Sequence, residues 1–492
     1  MTTKILAIDM NSNMRLSEFF KLGKTQFELD FIDILLDTDI SLFIDPYALA
    51  KRNDLFSMKC SNIIVNFFQR IIDDIKNGDY ASAKYNLNRL NEPNETRLGL
   101  SSSKPKGKGV SGKQSNDVFE RLKISKAVTT GFLKDLSDCE LVIPGISRDK
   151  ISDIVTNIIR LELIEYTKQQ CHTYNIPTFK VSSGKYWNSL NGKWEIKYDN
   201  LPIYKNTRII LVPKAIVRFT LEYNHQKYYN NFVLNFLQEE NISAGTSLVR
   251  LLKNGKKVVY KKDLKNDPRF KLTKEFLFKF SEEHPEVLKD YVESLTQTIP
   301  SLTNEELEKK QHYPVSFNYD KLKNKLMQIN SGQGSADNYH EAIIGILEAI
   351  FYPNLYSPNK EERIHNGRKI IDITYLNAAK NGFFEFLVNN HIHCPFVICE
   401  CKNYNDDPNN PELDQLSGRF SPRRGRFGLL LCRKIENREL MEKKCRDTVD
   451  DDRGYIIALD DNDLIQLLEY KKRNDIKAID EFLTNKYKKL VM

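Results

Sequence analysis

The residues best suited to chemistry lie near the carboxyl end, in Val397-Ile398-Cys399-Glu400-Cys401-Lys402 and, upstream, in Lys369-Ile370-Ile371-Asp372. Each stretch is a short apolar run with one isolated carboxylate, and a lysine follows the second carboxylate by two residues. An ionised side chain in a buried strand loses its hydration and needs compensation. Asp372, Glu400 and Lys402 converging on one point are accounted for better by a metal and a phosphate than by packing. Strand side chains alternate between faces, so Glu400 and Lys402 share one face while Val397, Cys399 and Cys401 share the other. Asp372 falls with Ile370 and Thr374. If the two strands are neighbours, Asp372 and Glu400 present hard oxygens to one point, as Mg2+ requires, with the Cys401 carbonyl a further ligand between them. Lys402, beside such a metal, would hold or help deprotonate a water and stabilise charge on the phosphate.

Periodicity predicts the elements that would position these groups: a helix over 338–351, a polar stretch over 357–366, and strands over 368–374 and 396–402. A short helix then starts at Asn410-Pro411, strands cover 427–432 and 455–459, and a helix over 460–468 closes the region.

Asp372, a partly helical spacer and then Glu400-Cys401-Lys402 resemble the PD-(D/E)XK motif of the restriction-endonuclease-like nucleases, over roughly residues 335–470 and in the same order of elements. Ile371 stands where the motif's name has proline. The resemblance implies an α/β fold (α+β overall): a C-terminal restriction-endonuclease-like α/β/α core with a central mixed sheet, preceded by a large helix-rich N-terminal region. It implies Mg2+ or Mn2+ held by Asp372, Glu400, Cys401 and a glutamate of the leading helix, for which Glu341 matches best and Glu348 is the alternative. Gln415 occupies the polar position on the helix after the lysine strand. Arg419, four residues on, shares its helical face and could contact the phosphate. Arg423, Arg424 and Arg426 in the following turn form a backbone-binding patch, since arginine matches phosphate bidentately. The implied activity is metal-dependent endonucleolytic hydrolysis of DNA rather than RNA, in a setting such as restriction or anti-phage defence. The rival reading is an inactive nucleic-acid-binding or regulatory protein on the same fold. A third is a nuclease kept latent until the N-terminal region senses a trigger. A homo-oligomer or a partner defence protein fits any of the three.

At 492 residues two or three domains are expected, divided as 1–177, 178–315 and 316–492. A net charge of +8 with 28% charged residues suits a nucleic-acid partner. No run approaches the roughly 20 apolar residues that span a bilayer, no signal-peptide pattern opens the chain, and eight scattered cysteines point to a reducing cytoplasm. The N-terminal region reads as strands over 31–36 and 42–44, a helix from Asp45-Pro46, and helices over 60–76 and 152–166. Strands follow near 194–196 and 208–212, then a strongly charged helical stretch over 228–295 and a connector over 300–314. No internal repeat is present.

Other constellations have simpler accounts. His391, His393, Cys394, Cys399 and Cys401 lack the CxxC pairs of structural zinc sites. The loop from Lys104 to Lys113 lacks phosphate-loop spacing and a leading strand. Asp149 and Asp153, and the series Asp30, Asp33, Asp37, Asp39 and Asp45, are accounted for by helix capping. The aromatic stretch from Tyr186 to Tyr204, with Lys185, Lys193 and Lys197, could stack bases, but sheet core is the simpler account.

Overall fold

The computed structural model describes residues 14–50, 52, 54–90, 93–99, 119–120, 123, 148–219, 225–296, 301–309 and 317–492; the loop over 104–113 lies outside them. Helix α1 (Leu55–Lys76) begins where the Asp54 carboxylate accepts the Ser57 N–H, and it buries Cys60, Ile63, Ile64, Phe67, Ile71 and Ile75 at helical spacing. Two helices, α2 (Arg148–Ile158) and α3 (Arg160–Thr173), stand where one was expected. The hairpin of β1 (Phe179–Asn188) and β2 (Lys193–Leu201) follows. Its Trp187 and Trp194 meet edge-on and both close on Phe67 of α1, so these rings are core and not a platform for bases.

The strand expected over 31–36 is instead a buried irregular segment with isolated bridges, Phe31 to Pro213 and Leu35 to Arg15. The Gln26 side chain takes the place of a neighbouring strand, donating to the Phe31 carbonyl and accepting from the Asp33 N–H. Residues 212–218 return to this segment: the Ile32 N–H meets the Val212 carbonyl, and Phe43–Ile44 pair with Val217–Arg218. The boundary expected at 177 therefore falls inside one packed unit.

The charged stretch after residue 225 holds α4 (Leu234–Ala244), a small hairpin of β3 (Arg250–Leu251) and β4 (Lys257–Val258), then α5 (Lys261–Asn266), α6 (Lys274–Glu283) and α7 (Pro285–Thr296). The wholly helical reading missed the hairpin. Its turn needs a residue with positive φ, and Gly255 supplies it at φ 80°.

The last region runs α8 (Ala336–Phe351), β5 (Leu355–Ile364), β6 (Lys369–Asn377), α9 (Gly382–Asn389), β7 (Phe396–Lys402), α10 (Asn410–Ser417), β8 (Phe427–Cys432), α11 (Arg438–Asp450), β9 (Tyr455–Asp460), α12 (Asp461–Lys472) and α13 (Ile476–Val491). Its five strands make one mixed sheet in the order β9-β8-β7-β6-β5, antiparallel from β5 to β7 and parallel from β7 to β9. The polar stretch expected over 357–366 is the edge strand β5. Its polar residues find partners outside the sheet: Lys360, 4% exposed, pairs with Asp337 at 3.0 Å, and the Ser357 N–H donates to Asp30 at 2.8 Å.

Helices cover both faces. The Tyr375 hydroxyl of β6 donates to the Ile344 carbonyl of α8, which assigns Ile371, Ile373 and Tyr375 to the α8 face. Ile373 lies opposite Cys399, so Glu400 and Lys402 turn to the other face, towards α10. The first region and the sheet share a continuous apolar core. At their junction Gln170 donates to the Pro358 carbonyl, and Lys214 Nζ lies 3.1 Å from a Glu348 oxygen with both side chains fully buried. No described helix is long and apolar enough to cross a membrane.

Candidate active site

The ladder between β6 and β7 runs from Leu376–Phe396 to Ile373–Cys399 and ends there. Just beyond, Asp372 Oδ2 accepts the Cys401 N–H at 2.8 Å. A carboxylate has replaced a backbone acceptor at the point where Asp372 and Glu400 stand. In a strand the N–H and C=O of one residue point to the same edge, so the Cys401 carbonyl lies on the Asp372 side as well.

Glu400 is fully buried. Its Oε1 accepts from Lys402 Nζ at 2.8 Å and from the Gln415 amide, while Lys402 also donates to Gln415 Oε1 at 3.1 Å. Its Oε2 is buried with no hydrogen-bond partner. Burial, and then the Asp372 carboxylate beside it, push Glu400 up to about 7 against the pull of Lys402 and Arg419. A buried, unpartnered carboxylate oxygen that feels the charge of a second carboxylate is an arrangement a divalent cation relieves, and the oxygens of Asp372, Glu400 and the Cys401 carbonyl are of the hard type that suits Mg2+ or Mn2+.

Gln415 arrives by local rules. Asn409 and Glu412 form a capping box with Pro411 in the first turn, and Leu413 and Leu416 anchor α10 on the sheet. The close approach depends on Gly428 of β8: a Cβ there would sit 2.8 Å from the Ile398 carbonyl and 3.0 Å from Leu416. The helix ends at Ser417, so Arg419 reaches the site from the turn beyond it, not from the helical face expected. Its charge is felt by Glu400, and its Nε is buried without a partner. The remaining arginines are used differently from expectation. Arg424 Nε donates to the Arg419 carbonyl at 2.9 Å, and Arg426 pairs with Asp452 at 2.6 Å. Arg423 is exposed.

The leading helix requires a correction. Glu341 turns towards the first region, where its Oε1 accepts from Asn175 Nδ2 at 2.8 Å and its carbonyl accepts from Lys24. Glu348 is buried against Lys214. Neither carboxylate joins Asp372. The residue of α8 that does is His340, whose Nε2 lies 3.9 Å from Asp372 Oδ2. Successive helix residues are about 100° apart, so turning His340 to the strand end carries Glu341 away from it. Burial lowers the proton affinity of His340 below the ordinary histidine value despite Asp372, and its Nδ1 is buried without a partner. A neutral imidazole is thus available as a nitrogen donor. Sequence reasoning missed it; its only signal was adjacency to Glu341.

Potential ligand atoms of His340, Asp372 and Cys401 lie within 4.8 Å of one another. Burial pushes the Cys401 thiol far up, so it stays protonated and is a poor ligand. His391, His393 and Cys394 instead line a cavity of about 510 Å³ near the other end of β6 and β7. The acidic series is spent on structure: Asp30 accepts from Tyr166 and Ser357, Asp33 from Ser17, and Asp37 from Tyr204 and Lys205.

A family described as a domain of unknown function (DUF8370) matches residues 21–224, the part of the chain that supplies Asp30 and Lys214 but not the Asp372 cluster. No curated protein and no solved structure matches the chain.

Proposed function

We propose that the chain is a metal-dependent nuclease that hydrolyses phosphodiester bonds of DNA at the parting of β6 and β7. One observation supports this above the others: the buried, unpartnered Glu400 Oε2 beside Asp372, with Lys402 and Gln415 held on the opposite oxygen. Asp372, Glu400 and the Cys401 carbonyl would hold Mg2+ or Mn2+, with His340 as a nitrogen donor. Bound there, the cation supplies charge neutralisation at the phosphate and a water of lowered pKa. Lys402, fixed by Glu400 and Gln415, orients the attacking water and donates to charge developing on the phosphate. Arg419 adds positive charge on the Glu400 side. A place in restriction or anti-phage defence is proposed on the resemblance alone.

The test is plasmid cleavage with Mg2+ or Mn2+ by wild type, Asp372→Ala and Lys402→Ala. Each variant is expected to lose at least ~100-fold in rate. Unchanged cleavage in both would sink the site. A wild type that binds Mn2+ and DNA but leaves the plasmid intact would make this a binding pocket on an inactive fold.

A further inference from the structure

The chain carries a formal charge of +8, and its distribution is uneven. Residues 250–274 hold ten lysines and arginines against two aspartates, Asp263 and Asp267, a net +8. The rest of the chain has 64 basic and 64 acidic residues, so the entire excess sits in this one segment. It comprises the β3–β4 hairpin, α5 and the start of α6.

The two aspartates are already committed, Asp263 to Arg250 and Asp267 to Arg269, each at 2.7 Å. Lys253, Lys256, Lys257, Lys262, Lys265 and Lys271 are exposed. Among the described residues none of these six makes an ion pair with a carboxylate. Gathering them on one small element raises the self-repulsion of the protein. A solvated face would be served equally well by mixed signs, as on the rest of this surface. Apolar area accompanies the charge: Leu251 is 71% exposed and Leu252 37%, both beside the turn. Within the segment the Arg250 guanidinium lies over the Tyr260 ring, and Gln238 of α4 ties the segment to the body by donating to the Val259 carbonyl.

We propose that the β3–β4 hairpin and α5 form a docking surface for duplex DNA, separate from the Asp372 cluster. A two-stranded ribbon fits the major groove, and lysines along it reach phosphates on either side without reading sequence. Leu251 and Leu252 lie at the tip, where a groove presents apolar base edges. The choice of DNA among polyanions rests on the proposed nuclease reading.

The experiment uses the full chain carrying Lys402→Ala, in EDTA, with fluorescence anisotropy on a DNA duplex of about 30 base pairs titrated from about 50 to 200 mM salt. Adding Lys253→Ser, Lys256→Ser and Lys257→Ser should weaken binding at least roughly tenfold and make the log–log salt slope shallower by about three. Arginine at the same three positions should retain both, which separates lost charge from lost fold. Unchanged affinity and slope in the serine variant would overturn the proposal. So would tighter binding of wild type to duplex RNA or to phosphatidylserine vesicles than to the DNA. The two readings fail apart: cleavage surviving Asp372→Ala sinks the catalytic assignment alone, and normal DNA binding by the serine variant sinks the docking surface alone.

Discussion

Glu400 divides its work between two oxygens. Oε1 ties Lys402 and Gln415 together, and Oε2 is buried without a hydrogen-bond partner, where the proposed cation would bind. Removing Gln415 should therefore loosen Lys402 without disturbing the core. Gln415→Ala is expected to lower the cleavage rate about 10- to 100-fold, with an unchanged unfolding midpoint; an unchanged rate would remove Gln415 from the machinery. His340 makes a different prediction, because the harder Mg2+ accepts an imidazole nitrogen less readily than Mn2+ does. His340→Ala should weaken Mn2+ binding in calorimetry more than Mg2+ binding, and equal losses would leave His340 outside the metal's reach. Asp372, Glu400, Lys402 and Gln415 were legible in the sequence because strand alternation and a single capped helix turn fix where they point. His340 was not. Its direction is set by how α8 is rotated, and that rotation depends on Lys24 and Asn175, well over 100 residues away in the chain.

At the scale of elements, the site depends on how closely α10 lies on β7 and β8. Gly428→Ala would push a methyl group into the Ile398 carbonyl and Leu416. It should destabilise the fold by about 1–3 kcal/mol and lower activity further than the folded fraction explains, since the displaced helix carries Gln415. Denaturant unfolding and initial rates on one preparation check both parts; full activity with full stability would show that α10 has slack. The four strands β6 to β9 and helix α10 were readable from apolar runs and from the Asn410-Pro411 start of α10. Strand β5 was hidden because its polar residues find partners beyond the sheet, as Lys360 does in Asp337 and the Ser357 backbone in Asp30. The β3–β4 hairpin was hidden by its brevity, two residues a side, inside a stretch of helical composition.

The whole molecule turns on the junction between the first region and the sheet, where Lys214 meets Glu348 out of contact with water. Asp30 also acts on Glu348, and burial together with Glu348 holds the Tyr166, Tyr174, Tyr352 and Tyr375 hydroxyls well above the ordinary tyrosine value. Burial raises Glu348 from 4.5 to about 8 despite Lys214. Folding therefore favours its protonated form: its contribution is fully present below pH 4.5 and is lost as pH rises through about 8. Glu348→Gln should flatten the fall in stability between those limits, measured as denaturation midpoint against pH; an unchanged profile would show that Glu348 does not titrate there. Lys214→Met should shift that fall to higher pH in the same profile, because Lys214 is the group that pulls Glu348 down; an unshifted fall would show that the two do not act on each other. The three-part division expected from length and composition did not foresee this junction, because contacts between distant segments leave no periodic trace. The pair has a consequence for dissection. A sheet cut free of residues 21–224 would open Glu348 to water and lose Lys214, so the burial that raises its proton affinity would go with the cut and the pH-dependent share of stability should vanish.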